Sequence, residues 1–124
     1  MENLIILPTK STLSVNFNAK YGILDLSGSS YPDNSSEFFQ PIYNWLEQYI
    51  QEVNNPIELN FRINYFNTSS SKCLYKLLSI LQKYHINKGE VNVTWHYNDG
   101  DDDILDAFKE LVHDLSLPYK IDLG

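Results

Sequence analysis

The sequence predicts a single α/β domain over residues 1–124, with a mixed β-sheet of five to six strands and three main helices in the order ββ(β)αβαβαβ. Two observations support this fold class. Apolar and polar residues alternate at 57–65 and 91–97, which is typical of strands with one buried face. At 74–84 and 104–115, apolar residues instead recur with the spacing of an amphipathic helix. Strands that alternate with helices form a mostly parallel or mixed sheet.

Three short strand candidates open the chain, at 4–8, 13–17 and 21–28. In the second and third of these, apolar residues alternate with polar ones. The Asn-Ala-Lys stretch at 18–20 separates them and is suited to a turn. We therefore expect the second and third strands to form an antiparallel hairpin.

A first helix is predicted after the turn-forming residues at 29–36. Asn34 and Glu37 have the three-residue spacing of a capping box. Pro41 lies beyond the first turn, where a proline is tolerated, so the helix is either kinked there or begins later. The later start, near Gln40, is the prediction we favour. The apolar stripe of this helix consists of Phe38, Ile42, Trp45, Leu46, Tyr49, Ile50 and Val53.

The rest of the chain alternates strands with helices. Strands are predicted at 56–67 and 90–98, and an edge strand at 117–123. The second helix should begin near residue 68 and stop at the glycine of 87–89, and the third should begin near 101. The apolar face of the first of these strands is predicted to hold Ile57, Leu59, Phe61, Ile63 and Tyr65.

This order has a consequence for the position of a functional site. In crossover units, the loops that lead from strands to helices leave the carboxyl ends of the strands, where open α/β sheets place their sites. The loops at 28–36, 67–71 and 98–103 should therefore share one end of the molecule.

The composition excludes several classes of function. A net charge of −7 disfavours nucleic acids and anionic membrane surfaces, because both are bound by clustered Lys and Arg. The apolar stretches are far shorter than the ~20 residues that span a bilayer. The N-terminus lacks the features of a signal peptide. A single cysteine, Cys73, cannot form an internal disulfide, and the cytoplasm is the predicted compartment.

Four consecutive hydroxyl side chains, Thr68–Ser71, precede the second helix. A Ser or Thr at a helix start caps an orphan amide, which is one interpretation of the run. A phosphate-binding loop is excluded because no glycine lets the backbone wrap a phosphate, and no nucleophile motif is present. A phosphoacceptor is the second interpretation, since a phosphate here would face the positive end of a helix, with Lys72 nearby. The residues alone leave both interpretations open.

A second polar cluster precedes the third helix. Aspartates at a helix start complement the helix dipole, and an acidic patch facing a partner is the alternative. The three histidines lack metal-ligand spacing, and Cys73 is predicted to be a small core residue. Neither a catalytic site nor a metal or cofactor is predicted. The acidic cluster consists of Asp99, Asp101, Asp102 and Asp103.

Three segments of the chain contain specific motifs. These are Ser-Tyr-Pro-Asp-Asn at 30–34, Tyr-Phe-Asn-Thr-Ser-Ser-Ser-Lys at 65–72, and Trp95-x-Tyr followed by the aspartates. Together they resemble the SiaC family of bacterial regulatory phosphoproteins over nearly the whole chain. The resemblance implies a STAS-like fold, similar to anti-sigma factor antagonists. It further implies that Thr68 is the phosphoacceptor. The Asp-Gly-Asp sequence at 99–101 departs from the more continuous acidic run usual in the family.

The resemblance also implies the partners. These are a dedicated serine/threonine kinase, a PPM-type phosphatase, and a diguanylate cyclase that the unphosphorylated protein binds and activates. The helix N-terminus that would form the switch comprises Asn67, Thr68, Ser69, Ser70, Ser71 and Lys72. Candidate partner-binding residues are Tyr31, Pro32, Asp33, Asn34, Asp99, Asp101, Asp102 and Asp103.

The leading hypothesis is therefore a non-enzymatic threonine phosphorylation switch, acting in cyclic di-GMP signalling and biofilm control, whose phosphorylation releases the effector. A partner-switching regulator that captures a kinase-like anti-sigma factor is the alternative. A small hydrolase using Thr68 or Ser69 is less favoured, because no motif supplies a base.

Overall fold

The computed structural model describes residues 1–123, and the order of its elements is βββαβαβαβ. The mixed sheet with three helices confirms the predicted fold class. The strands are β1 (Leu4–Ile6), β2 (Ser14–Asn18), β3 (Ile23–Ser30), β4 (Ile57–Phe66), β5 (Val91–Tyr97) and β6 (Tyr119–Leu123). The helices are α1 (Ser35–Glu52), α2 (Thr68–Ile86) and α3 (Asp102–Val112).

The strands lie in the sheet in the order in which they occur in the chain, β1 to β6. β1, β2 and β3 are antiparallel neighbours, whereas β3, β4, β5 and β6 run parallel to one another. The predicted hairpin of β2 and β3 is confirmed. Its turn closes with the amide of Gly22 donating to the carbonyl of Asn18 at 2.9 Å. Gly22 has a φ of 67°, and a Cβ there would collide with the carbonyl oxygen of Pro56.

One face of the sheet is apolar and carries the helices. Leu26 pairs with Phe61, and Phe61 pairs with Trp95, so large side chains from β3, β4 and β5 form a continuous row. Phe108 of α3 stacks on Trp95 with the ring centroids 4.5 Å apart, while Trp45 of α1 packs edge-on against a β2 aromatic ring. The leucines of α2 complete this core. The opposite face is polar and includes Asn16, Asp25, Glu58, Arg62, Asn92 and Lys120.

The late start predicted for the first helix is wrong. α1 begins at Ser35, and the side chain of Asn34 accepts a hydrogen bond from the Glu37 amide at 3.1 Å. Pro41 lies inside the helix, on its exposed side, where its ring meets solvent. The lost backbone hydrogen bond is offset by the burial of seven side chains that α1 places against the sheet or its neighbours. These are Ser35, Phe39, Ile42, Tyr43, Trp45, Leu46 and Tyr49.

The predicted apolar face of β4 is wrong at Tyr65. The pairing with β3 slips by one residue after Gly28, so that Ile63 pairs with Gly28 but Tyr65 pairs with Ser29. The extra residue, Asn64, forms a β-bulge, which reverses the direction of the side chains that follow. Tyr65 is 51% exposed as a result, and Phe66 packs against the core instead.

The ends of two helices also differ from the prediction. α3 stops at Val112, although its apolar pattern continues to Leu115, which is half-buried beyond the helix. After α2 the left-handed residue is Lys88, with a φ of 74°, and not the glycine that follows it. Gly89 is required for a different reason. A Cβ there would lie 2.7 Å from the ring of Tyr84, which packs over this turn.

Candidate functional site

Because β3, β4 and β5 are parallel, their carboxyl ends lie side by side at one end of the sheet. The amide of Asn67 donates to the carbonyl of Ser30 at 3.0 Å, which ties the start of α2 to the end of β3. The loops that precede α1, α2 and α3 therefore share one end of the molecule, as the element order predicts.

The N-cap of α2 is Asn67. Its side-chain oxygen accepts hydrogen bonds from the Ser70 amide at 2.9 Å and from the Ser69 hydroxyl at 3.1 Å. The interpretation of the hydroxyl run as the cap is therefore wrong. Thr68–Ser71 instead fill the first turn of the helix, where the backbone amides point away from the helix body.

The four hydroxyls of this turn have different environments. Ser70 is fully buried, and its hydroxyl lies 2.7 Å from that of Ser30. The hydroxyl of Ser69 lies 2.8 Å from that of Ser35. Ser71 is half-buried. Thr68 is exposed, and within residues 1–123 its hydroxyl has no hydrogen-bond partner.

Two residues that contact the hydroxyl run, Ser30 and Ser35, were not among the predicted site residues. Both are buried, and together they connect β3 and α1 to the first turn of α2. Serine is common near strand and helix ends, so nothing in the sequence distinguishes these two from ordinary turn residues. Their pairing with the hydroxyl run depends on the close approach of segments 34 to 40 residues apart in the chain.

Grooves flank the first turn of α2 on both sides. The groove between α2 and α3 includes Thr68, Lys72 and Tyr75 from α2, Glu110 from α3, and Asp114 just beyond the end of α3. These two carboxylates, which face the Thr68 side of α2, were not among the predicted site residues. Both carboxylates were visible in the sequence, but the face on which α3 packs was not.

The groove between α1 and α2 brings a second set of predicted residues together. Asp33 and Asn34 lie on its α1 side, and Ser69, Lys72 and Lys76 lie on its α2 side. Lys72 is exposed and lines both grooves, so its ammonium group is the cation shared by the two sides of this turn.

The acidic cluster occupies the start of α3. Asp102 and Asp103 lie in the first turn, where their charges complement the helix dipole. Asp101 is the N-cap residue, but its side chain makes no capping hydrogen bond. It lines a groove with Arg62 and His96, at the polar face of the sheet. Asp99 is exposed.

An exposed aromatic pair lies at the same end of the molecule. The rings of Tyr31 and Tyr65 meet edge to face with centroids 6.1 Å apart. Tyr31 is 37% exposed, and its amide donates to the Ser11 carbonyl at 2.8 Å. Pro32 is half-buried beside it. Exposed tyrosines are common anchors of protein interfaces. Tyr65 is thus a further candidate contact, which the bulge in β4 turns outward.

Cys73 and Tyr43 join α1 to α2 below this turn. The hydroxyl of Tyr43 donates to the backbone carbonyl of Cys73 at 2.7 Å, and burial raises the pKa of Tyr43 well above its ordinary value. Cys73 packs against the core but is only half-buried, so it is less enclosed than the sequence predicts.

Two of the histidines contact polar atoms of neighbouring residues in the fold. His96 lies between Asn60 and Asp122, with its ring nitrogens 3.2 Å and 3.1 Å from their oxygens. His85 contacts the Gly89 carbonyl. In the part of the chain described here, residues 1–123, no group of His, Cys, Asp and Glu could hold a metal ion, and no helix is long and apolar enough to cross a membrane.

The mixed six-stranded sheet with three helices on one face is consistent with a STAS-like fold. The sequence model of the SiaC family regulatory phosphoproteins matches residues 6–122, and the chain belongs to this family. A protein of Pseudomonas aeruginosa (strain UCBPP-PA14) is 33% identical over 121 residues, which span 98% of this chain and 96% of that protein.

Solved structures agree with this assignment. The crystal structure of apo-SiaC from Pseudomonas aeruginosa superposes with a TM-score of 0.91 at 33% identity, covering 98% of this chain and 99% of that chain. A chain in the crystal structure of the diguanylate cyclase SiaD in complex with its activator SiaC, from the same organism, superposes with a TM-score of 0.93 at 32% identity. The superposition covers 98% of this chain and 99% of the matched chain.

Proposed function

We propose that this chain is a non-enzymatic regulator controlled by phosphorylation of Thr68. The unphosphorylated form binds an effector protein, and phosphorylation releases it. The main support for the proposal is the difference in exposure and hydrogen bonding among the hydroxyls of one helical turn. Thr68 is exposed and its hydroxyl has no partner within residues 1–123, whereas the neighbouring Ser69 and Ser70 hydroxyls are hydrogen-bonded and Ser70 is buried.

Access separates Thr68 from the buried Ser70, whereas Ser69 is exposed like Thr68 and differs from it in that its hydroxyl is hydrogen-bonded. A kinase must reach the hydroxyl oxygen and place the γ-phosphate in line with it. The Thr68 hydroxyl meets this requirement without any change in the fold. Ser70 meets it only after α2 separates from β3, because its hydroxyl packs on that of Ser30.

We propose a diguanylate cyclase as the effector, which places this chain in cyclic di-GMP signalling and biofilm control. The support is the relative of 32% identity that is described as the activator of a diguanylate cyclase and was solved in complex with it. A serine/threonine kinase and a PPM-type phosphatase in the cytoplasm would set the phosphorylation state.

The charges around Thr68 explain why phosphorylation should release a partner. A phosphate adds about −1.5 to −2 charges at neutral pH. The helix N-terminus and Lys72 stabilise it locally, so the fold tolerates the group. Glu110 and Asp114 across the groove have the same sign of charge as the phosphate. A partner that docks over this groove would have to desolvate the phosphate beside them, which is unfavourable without a matching cation.

A hydrolase is not supported by the contacts of the candidate nucleophiles. The Ser69 hydroxyl contacts Ser35 and Asn67, neither of which can act as a general base.

An anti-sigma factor is the second candidate for the effector, because a STAS-like fold is similar to that of anti-sigma factor antagonists. An affinity pulldown with wild-type and Thr68→Ala baits would decide between a cyclase and an anti-sigma factor.

The test of the switch is a titration of the effector against three forms of the protein. Wild type and Thr68→Ala should bind equally well, and enzymatically phosphorylated protein should bind at least about tenfold more weakly. Ser69→Ala is the matched control and should still be phosphorylated and released. Tighter binding by the phosphorylated form, with an unchanged unfolding temperature, would sink the proposal.

A further inference from the structure

The last strand of the sheet, β6, is exposed along its whole length. Its inner edge pairs with β5, in a parallel register that places Tyr119 beside Val93 and Ile121 beside Trp95. Within residues 1–123, no strand pairs with its outer edge. Every residue of β6 is exposed, and its three apolar side chains, Tyr119, Ile121 and Leu123, are 45%, 36% and 57% exposed.

A free strand edge with exposed apolar side chains can pair with another strand. The outer edge of β6 must therefore be covered or be paired with another strand. Its alternation separates two kinds of side chain. The apolar residues lie on the face that carries the helices, whereas Lys120 and Asp122 lie on the polar face, beside Thr94 and His96.

The sequence of β6 is complementary to itself when it is read in the opposite direction. If two copies run antiparallel with Ile121 at the centre, Lys120 of each copy lies opposite Asp122 of the other. On the other face, Tyr119 lies opposite Leu123, and Ile121 lies opposite its own counterpart. Opposite charges and apolar side chains in directly opposed positions both stabilise antiparallel strands.

We propose that two copies of this chain associate through antiparallel pairing of β6 with β6, which continues the sheet across both copies. The contact is isologous, so it closes on itself and forms a dimer and not a fibre. His96 supports the geometry, since its ring nitrogen lies 3.1 Å from the Asp122 carboxylate and holds it on the polar face. The pairing is independent of the phosphorylation switch proposed above.

The opposite edge of the sheet is less suited to such pairing. β1 spans only three residues, Leu4–Ile6, and carries no charged side chain that would fix a register. The β6 contact is also small. Five residues from each copy bury less than the roughly 1,600 Å² of a standard interface. We therefore expect a weak dimer whose population depends on protein concentration.

The test is a pair of charge reversals measured by sedimentation velocity over a range of concentrations. Lys120→Asp makes both polar positions of β6 acidic, and Asp122→Lys makes both basic. Each variant alone should dimerise at least about tenfold more weakly than wild type, because like charges then oppose each other. An equal mixture of the two variants should dimerise again, since the acidic strand meets the basic one.

Ile5→Lys on β1 is the matched control at the other edge, and its sedimentation should equal that of wild type. Thermal unfolding of all variants checks that the monomer is folded. The proposal is overturned if wild type stays monomeric at every concentration, if the charge reversals leave the dimer unchanged, if the mixture fails to recover it, or if Ile5→Lys abolishes it.

Discussion

The side-chain oxygens of Ser30 and Ser70 lie 2.7 Å apart, and both side chains are fully buried. Together with the bond from the Asn67 amide to the Ser30 carbonyl, this contact connects the end of β3 to the first turn of α2 and positions the backbone from which Thr68 projects. The stability of this connection can be tested separately from any effect on signalling.

Removing one hydroxyl of the pair should destabilise the fold more than removing both. Ser70→Ala leaves the Ser30 hydroxyl buried without its main partner, which should lower the free energy of unfolding by about 1–3 kcal/mol. Adding Ser30→Ala should then cost little more, so the two effects are strongly non-additive. Urea denaturation of the two single variants and the double variant measures this, and additive losses would contradict it.

The caps of α2 and α3 should differ in their contribution to stability. Asn67→Ala removes the bond to the Ser70 amide and should cost ~1 kcal/mol of unfolding free energy. Asp101→Ala is the matched control, because the Asp101 side chain makes no capping bond, and it should cost only a few tenths of that. Both are read from urea denaturation. Equal losses at the two positions would show that the cap bond is not the cause.

Alkaline pH should destabilise the protein through its buried tyrosines. Burial raises the pKa of Tyr43, Tyr49 and Tyr84 above the ordinary value of 10.0. Below that pH both folded and unfolded states keep these protons, so the three tyrosines do not change the free energy of unfolding. Above it the unfolded state loses protons that the folded state retains, and the free energy of unfolding falls as the pH rises.

Tyr43→Phe should make this alkaline decline shallower, although it also removes the bond to the Cys73 carbonyl. Tyrosinate absorbance, followed with circular dichroism, should show three of the tyrosines ionising only as the fold is lost. The exposed Tyr21→Phe is the control and should leave the decline unchanged. Ionisation of all tyrosines near pH 10 in the folded protein would contradict the prediction.

The thiol of Cys73 should react slowly with a disulfide reagent in the folded protein. Although it is only half-buried, it packs against the core, so we expect rapid labelling to need local opening of the contact between α1 and α2. In denaturant the same thiol should react at the rate of a free cysteine. Equal rates in the two states would show that the native thiol is open to solvent.

The sequence predicts the fold well because periodicity depends on which face of an element is buried. The alternation at 57–63 and the leucine spacing of α2 indicate strand and helix without knowledge of their neighbours. The Asn34 and Glu37 spacing also indicates the observed helix start, because the cap is a local contact, but the position of Pro41 led us to favour a later one.

What sequence reasoning missed depends on contacts between distant segments. The bulge at Asn64 exists because β4 is paired with β3, and no property of the β4 sequence alone turns Tyr65 outward. Pro41 is tolerated inside α1 because the rest of that helix is held by the core. Ser35 and Ser30, the hydroxyl partners of Ser69 and Ser70, lie 34 and 40 residues away in the chain, so no local pattern indicates these contacts.

Because Ser70 is buried, a phosphate on its hydroxyl would show that the molecule was not folded when it was modified. On the folded protein Thr68 is exposed and would be accessible to the kinase proposed above, whereas the hydroxyl of Ser70 meets solvent only before the sheet has formed or after the protein has unfolded. Phosphate on Ser70 in a purified sample would therefore identify molecules that were modified during synthesis or had unfolded since. The ratio of the Ser70 phosphopeptide to the Thr68 phosphopeptide in a digest would compare the molecules that were modified while unfolded with those modified while folded.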